Sequence, residues 1–561
     1  MKPHKISLPE NSTLPLLADE AIVLGALEAG VGFVSTYPGC PAAEIGDLFY
    51  KIKDDYGVYM EYSINEIVAV EAAAGAAFSG VRALVAMKHF GINVAMDALI
   101  PIAYTRPRAG LVIVVCDDPG CHSSAQSEQD SRVFIENLNI LTLEPSDPQE
   151  AKEFTRLAFE ISEKFEKPVI IRMTVRVAHQ TAAVKIGKIP KPKIKGEFIK
   201  DLKRFDTAPS LVLNQKRELL AMKYELEKYL ATTSLNPILT TYDVVNINKS
   251  IGVITSGVSH LYVLEVSKKL KISLPIFKID TFYPLPMGKI NLFLQDKTKI
   301  LVFEEIIGLI EEKIRAEVQR RGIKIEIFGK NLMEPVDELN PDRVIEALSQ
   351  FLGIDYSKPE KIEANLVVRT PRFCPGCPDW SIFGALKNAV KTDEAVFVGD
   401  IGCYMMGYYK PFELQDTLLC MGASLSIGHG ISKMTEQKVI AMIGDSTLLH
   451  GGLHGVINIV NNGSSPLIII FNNGTTAMTG QQPHPATPLG FRTQDGKVQI
   501  KIEDLLKVIG IKNIVVLDPV SQNKLLEKKI KQLLLKKQTS AIICRHPCIY
   551  IDHLEKMEIQ Y

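Results

Sequence analysis

The stretch KVIAMIGDSTLLHGGLHGVINIVNNGSSPLIIIFNNGTTAMTGQQPHP, residues 438–485, restricts the possible folds more than any other part of the chain. Two short apolar runs flank a helix-length segment, and each run ends in polar residues, Asp445 after the first and Asn473 after the second. Runs that are apolar on both faces read as strands covered on both sides, and two of them joined by a helix make one βαβ unit of a parallel sheet. The carboxyl ends of such strands share one edge, so the Asp445 carboxylate and the Asn473 amide are expected to converge there. Hard oxygen ligands with open positions suit Mg²⁺ holding a diphosphate. The Ser446–Thr447 turn opens a helix N-terminus, which also favours phosphate. An ordinary strand-to-helix turn with a helix N-cap accounts for the spacing equally well.

The same alternation fills most of the chain. Residues 15–180 carry the helix-like LLADEAIVLGALEAGV and NEIVAVEAAAGAAFSG among the strand-like FVSTYPG, RALVAMK, AGLVIVVCDDPG and KPVIIRMT. A second set spans 250–350 and a third 365–550. Between the first two, KIGKIPKPKIKGEFIKDLKRFDTAPS is rich in Lys and Pro and reads as a linker, followed by a charged helix in QKRELLAMKYELEKYL. The fold class is therefore α/β, with three doubly wound sheets and helices on both faces.

Composition narrows the function classes. Lys+Arg and Asp+Glu both number 64, so net charge offers no reason to expect a nucleic-acid or anionic-membrane partner. The apolar runs are strand-length, well short of the roughly 20 residues that cross a bilayer, and the N-terminus shows no signal-peptide pattern. Nine scattered cysteines fit a reduced, cytoplasmic setting better than a disulfide framework. Two of them, Cys374 and Cys377 in RFCPGCPDW, read as a redox pair, half of a zinc site, or a loop shaped for another purpose. The nearest close pair, Cys544 and Cys548, is far away in sequence, and no C-x2-C-x2-C-x3-C run of the ferredoxin type occurs. His450 and His454 stand at i,i+4 without an H-E-x2-H pattern, and packing is the expected role.

The Asp445–Asn473 arrangement resembles the thiamine-diphosphate motif, a G-D-x turn followed by an Asn pair, with Ser446 where many members carry Gly. The resemblance implies that Asp445, Asn473 and the Thr475 carbonyl ligate Mg²⁺, and that Gly444, Ser446, Thr476, Ala477 and Met478 line the diphosphate. A second match is independent of the first. Thiamine enzymes carry E-x2-A-x3-A-x-G on the pyrimidine side, matched here by Glu66, Ala69, Ala73 and Gly75. Glu66 would be the catalytic carboxyl at the aminopyrimidine. Met421, with Gly422, resembles the bulky residue that bends the bound cofactor.

Around these motifs, TYPGCPAAEI, MKHFGINVAMD, LVIVVCDDPGCHSSAQSEQD, RFCPGCPDWSIFGAL, GDIGCYMMGYYKPFE and TTAMTGQQPHP resemble the alpha subunit of indolepyruvate:ferredoxin oxidoreductase, within the 2-oxoacid:ferredoxin oxidoreductase superfamily, over about residues 20–550. The resemblance implies a pyrimidine-binding domain at 1–184, a linker with a charged helix at 185–249, a transketolase-C-terminal-like domain at 250–350 and a diphosphate-binding domain at 351–561. It places the Cys374–Cys377 loop against the cofactor, with Asp400, Gly402 and Cys403 beside it, and Cys40, His89, Asn93 and His484 toward substrate, His89 and His484 also as catalytic candidates. The activity implied is oxidative decarboxylation of an aryl 2-oxoacid to an acyl-CoA. The implied partners are a small beta subunit, an electron carrier or cluster-bearing subunit, and coenzyme A, in an α2β2-type assembly.

Three departures stand out. The family's alpha subunit continues into a ferredoxin-like domain near the point where this sequence ends, so the expectation is no iron–sulfur cluster on this chain. Cys40 replaces the usual Thr, and Asp379 the usual His. A non-oxidative thiamine-dependent decarboxylase or carboligase is the alternative, and a catalytically silent scaffold subunit is disfavoured by the joint presence of Glu66, Asp445 and Asn473.

Overall fold

The computed structural model describes residues 9–123, 125–241, 250–356, 367, 369–488 and 498–551; residues 242–249, the end of the expected linker, lie outside them. The chain divides into two compact units, residues 1–360 and 361–561.

The first unit is built on a seven-stranded sheet. In spatial order its strands are Thr281–Tyr283, Leu141–Leu143, Val169–Thr174, Leu111–Asp117, Ala83–Lys88, Phe33–Thr36 and Tyr59–Tyr62. All neighbours are parallel except Thr281–Tyr283, which runs antiparallel to Leu141–Leu143. Leu111–Asp117 is buried at every position, which explains its unbroken apolar run. The helices Ala18–Glu28 and Pro148–Phe165 approach closely at Gly25, where a Cβ would stand 2.3 Å from the Lys152 carbonyl. Only a residue without a side chain fits that crossing.

Residues 250–350 carry four strands of a second sheet, Glu326–Phe328, Lys299–Phe303, Ile251–Ser256 and Pro275–Ile279, and the antiparallel Ile238–Thr240, from the segment expected to be linker, adds a fifth. They also lend Thr281–Tyr283 to the first sheet, and Ile254, Phe277 and Phe282 share one apolar core with Ala73, Leu99 and Leu138. The buried Arg132 links the two sets through Asp130 (2.6 Å), Glu304 (2.8 Å) and the Glu305 carbonyl (3.0 Å).

The second unit holds a fully parallel sheet in the order Ala395–Val398, Lys438–Gly444, Leu467–Asn472, Ser540–Arg545, Asn513–Leu517. Lys438–Gly444 and Leu467–Asn472 are neighbours, as the opening βαβ segment requires. The helix between them contains a π turn at Leu448–Gly452; His450 is buried and His454 exposed, so the two do not share an environment. Among the described residues, no helix is long and apolar enough to cross a membrane.

Candidate functional site

In the second unit, Asp445 follows its strand directly and is 2% exposed. Its Oδ1 accepts the Ser446 N–H at 2.9 Å and its Oδ2 accepts the Gly474 N–H at 2.8 Å. Gly474 sits between Asn473 and Thr475, so this bond draws the carboxylate to the turn carrying both other expected ligands. That turn needs a left-handed residue, and Gly474 supplies φ +76°. The Asn473 Oδ1 accepts the Thr475 N–H at 3.1 Å, and the Ser446 and Thr476 hydroxyls lie 2.8 Å apart. Ala477 and the half-buried Met478 continue this loop, where the Ala477 carbonyl accepts the Gln481 amide at 3.1 Å. A buried carboxylate with an amide and a backbone carbonyl beside it is a hard-oxygen donor set of the kind that fits Mg²⁺.

His484 is brought against this set. Its Nδ1 accepts the Ala486 N–H at 3.2 Å, which leaves the proton on Nε2, and Nε2 stands 3.4 Å from Asp445 Oδ2, close but not aligned as a hydrogen bond. Its place is beside the carboxylate. Asp400 is wholly buried, and its carboxylate accepts the N–H groups of Ile401 (2.8 Å), Gly422 (2.9 Å) and Ser424 (2.9 Å). It therefore pins the turn that follows Met421. At Gly422, φ is +89° and a Cβ would meet the Gly451 backbone at 2.7 Å, so no other residue fits. Gly402 and Gly444 both make room for the Tyr404 ring, which stacks on Phe471 at 4.8 Å.

The Cys374–Cys377 loop opens the helix Asp379–Ala389. The Cys374 carbonyl accepts the Cys377 N–H (3.0 Å) and the Trp380 indole (3.2 Å). The fold then joins what sequence separates. Gly376 lies 3.8 Å from Ile549 when given a Cβ, the Tyr550 hydroxyl lies near the Cys374 thiol, and the Cys548 N–H donates to the Asn473 carbonyl at 3.1 Å. Cys374, Cys377, Cys403 and Cys548 thus share one neighbourhood, although no three ligand atoms there fall within 4.8 Å. Burial pushes the Cys403 thiol up to about 12. Asp379, buried at the helix start, lies near the Cys377 thiol; burial, and then the Asp445 charge, push its carboxyl up to about 7. Sequence spacing placed Cys548 far from Cys374; only the strand Ser540–Arg545 brings it back.

In the first unit, Asn65 caps the helix Glu66–Phe78 by accepting the Val68 N–H at 3.0 Å, and this fixes Glu66 at the first helical position, 6% exposed. The next helix, His89–Tyr104, passes so closely that a Cβ on Gly91 would stand 2.8 Å from Glu66 Cγ. His89 is wholly buried, and neither ring nitrogen has a hydrogen-bond partner; the Ser127 backbone lies near without reaching bonding geometry. Burial holds its imidazole below the usual range. Asn93 and Gln129 exchange amide hydrogen bonds at 2.7 and 3.0 Å. Cys40 precedes a cis proline, and burial pushes its thiol up to about 11.

Sequence reasoning missed Lys88 and Ser123. The Lys88 ammonium reaches the Ser123 hydroxyl and carbonyl, both at 3.3 Å, and the Ser123 hydroxyl lies 2.9 Å from the Cys40 carbonyl and 2.5 Å from Asp118. Burial lowers the Lys88 ammonium's pKa. A cation ending the strand before His89 was the available signal.

Comparison with known proteins agrees with this arrangement. Residues 24–236 match the family model described as pyruvate flavodoxin/ferredoxin oxidoreductase, thiamine diP-bdg, and residues 400–544 that of the thiamine pyrophosphate enzyme, C-terminal TPP binding domain. The indolepyruvate oxidoreductase subunit IorA of Methanothermobacter marburgensis is 37% identical over 542 residues, covering 95% of this chain and 86% of that protein. The subunits of the same name from Pyrococcus abyssi and Archaeoglobus fulgidus are each 36% identical, over 95% and 96% of this chain and 85% and 87% of theirs. Two thiamine-diphosphate-binding family matches and relatives at this identity over 85–87% of their own length place the chain in one group: it belongs to the indolepyruvate oxidoreductase IorA-subunit family of thiamine-diphosphate-dependent 2-oxoacid oxidoreductases.

Proposed function

We propose that this chain is the thiamine-diphosphate-binding subunit of an enzyme that oxidatively decarboxylates an aryl 2-oxoacid, of the indolepyruvate or phenylpyruvate type, to an acyl-CoA. The observation that carries the reading is the Asp445 carboxylate drawn by Gly474 onto the turn of Asn473 and Thr475. Those three groups would hold Mg²⁺ and, through it, the diphosphate, with Ser446 and Thr476 offering hydroxyls. When bound, thiamine diphosphate supplies the nucleophilic carbon and the electron sink for loss of CO₂. Glu66 would hold a proton at the pyrimidine nitrogen, a role worth 10²–10⁴-fold in general acid–base chemistry. The unpaired imidazole of His89, with Asn93 and Lys88 near it in the chain, would meet the substrate's polar end, and His484 would orient Asp445. Residues 1–184 would serve as the pyrimidine-binding domain, 250–350 as the transketolase-C-terminal-like domain and 351–561 as the diphosphate-binding domain.

In place of the expectation that no iron–sulfur cluster sits on this chain, the gathered thiols of Cys374, Cys377, Cys403 and Cys548 offer four ligands to one. Four thiolates are the common ligand set of such clusters. A single zinc, with Zn–S bonds of about 2.3 Å, would need them closer together than they stand. Electrons would pass onward to a partner: the relatives are named subunits, which supports a further subunit, here a small beta subunit in an α2β2-type assembly by proposal. All nine cysteines are unpaired, in keeping with a cytoplasmic setting.

The test is product analysis. The chain with its co-purifying proteins is supplied with thiamine diphosphate, Mg²⁺, coenzyme A and phenylpyruvate or indolepyruvate, with and without a viologen dye. Acyl-CoA formed only with dye supports the reading, and aldehyde formed without dye or coenzyme A overturns it. Anaerobically purified protein should carry iron and acid-labile sulfide that Cys548→Ser removes.

A further inference from the structure

Behind the turn that carries Cys40, three side chains from three elements meet. Asp19 stands in the first turn of the helix Ala18–Glu28, Glu44 in the first turn of Ala43–Tyr56, and His179 closes the short helix Val175–Ala178. One ligand atom from each lies within 4.8 Å of the others, and His179 Nε2 is 3.5 Å from Glu44 Oε1.

Asp19 has no structural duty to explain it. It is wholly buried, and neither of its oxygens accepts a hydrogen bond. The free N–H groups of a helix start commonly hold a carboxylate, but here that duty falls to Glu20, which accepts the Leu17 N–H at 2.9 Å. What faces Asp19 is another carboxyl, that of Glu44, whose Oε2 is also unpartnered. Burial first, and then the Glu44 charge, raise the Asp19 carboxyl's pKa, while the His179 contact lowers that of Glu44. Among the described residues, no Lys or Arg forms an ion pair with either acid. A wholly buried carboxylate left in this state is strongly disfavoured, so a proton or a cation must neutralise Asp19.

We propose that Asp19, Glu44 and His179 bind a divalent transition-metal ion of the Mn²⁺/Zn²⁺ class, at a site separate from Asp445. Two carboxylates and one imidazole are a donor set for such ions. Ligands about 2.0–2.2 Å from one ion stand roughly 3–4 Å apart, which the observed spacing reaches with small side-chain adjustments. His179 is partly exposed and lines an open cavity of about 540 Å³ with Arg176, Tyr262 and Glu338, which gives the ion a path and room for water ligands. Glu44 is also the main charge acting on the Cys40 thiol, so a bound ion would make that thiol easier to ionise.

The probe is Mn²⁺, added without thiamine diphosphate to chelator-treated full-length chain carrying Asp445→Asn, with free Mn²⁺ read by its paramagnetic resonance signal. The expected result is one Mn²⁺ per chain, an affinity at least tenfold weaker when His179→Ala or Asp19→Asn is added, and faster alkylation of Cys40 with Mn²⁺ than without. Failure of the parent to bind Mn²⁺ overturns the proposal and leaves the two acids sharing a proton. Binding unchanged by His179→Ala also overturns it; this variant trims a partly exposed side chain, and its fold is checked by circular dichroism.

Discussion

Replacing Gly91 with Ala tests whether Glu66 must stand where the helix packing puts it. Helix propensity alone favours the change by about 1 kcal/mol. The new Cβ, however, would stand 2.8 Å from both Glu66 Cγ and Met87 Cβ, and 3.2 Å from Glu66 Oε1. Carbon pairs rest at about 3.5–4.0 Å, so roughly 1 Å of relief is required. Met87 Cβ is fixed to a central strand, which leaves Glu66 as the group that gives way. Overpacking of this kind costs about 1–3 kcal/mol, so the net stability change is a loss of up to about 2 kcal/mol. A carboxylate displaced by about 1 Å should lower kcat roughly 100-fold. Gly91→Ala is assayed by dye-linked turnover with thiamine diphosphate saturating, beside urea unfolding of the same protein. Gly288→Ala, whose Cβ meets nothing within 4 Å, controls for propensity and should gain about 1 kcal/mol. Turnover within threefold of the parent in Gly91→Ala would falsify the assignment of Glu66 as the catalytic carboxyl.

Asp445→Asn should abolish the rise in melting temperature that thiamine diphosphate with Mg²⁺ produces, as read by calorimetry; a rise equal to the parent's would remove Asp445 from the ligand set. Arg132→Ala leaves Asp130 and Glu304 buried without their partner and should cost about 3–5 kcal/mol in urea unfolding, whereas a loss below 1 kcal/mol would show that the network does not hold the two sheet sets together. Burial holds the imidazole of His260 down to about 4, against 6.5 when unfolded. The unfolded chain therefore takes up the proton first, and stability should fall as pH drops from about 6.5 to 4, by at most about 3 kcal/mol. His260→Gln should flatten that acid limb, and an unchanged slope would count against a buried neutral histidine there.

Much of the site could be read without coordinates because its chemistry is local to strand ends. The turn after an apolar run exposes its polar residue at the sheet edge, so the approach of Asp445 to the Asn473 turn follows from the pattern of one βαβ unit, whereas Thr475 enters through the family resemblance. Glu66 is picked out by the resemblance of its Ala-rich stretch to a family motif, and the structure adds the Asn65 cap and the close passage of the next helix at Gly91. The three α/β sets were equally visible, since alternation of strand and helix depends on nearest neighbours in sequence.

Other features depend on which distant segments pack together, and no local pattern encodes that. Thr281–Tyr283 pairs with Leu141–Leu143 across more than a hundred residues, so a segment expected to stand apart shares the first sheet and its core. Asp400, expected near a cofactor, is occupied by three backbone N–H groups of two separate turns. Asp19 meets Glu44 and His179 only because three helix ends converge. Cys548 reaches the Cys374 loop because the strand Ser540–Arg545 inserts beside Leu467–Asn472. Sequence by itself determined the strand-end chemistry and the helices that bear it, because hydrophobic period and turn residues act over a few positions. Tertiary structure decided which buried charges and thiols face one another, because that is set by sheet order and helix crossing, to which residues far apart in the chain contribute jointly.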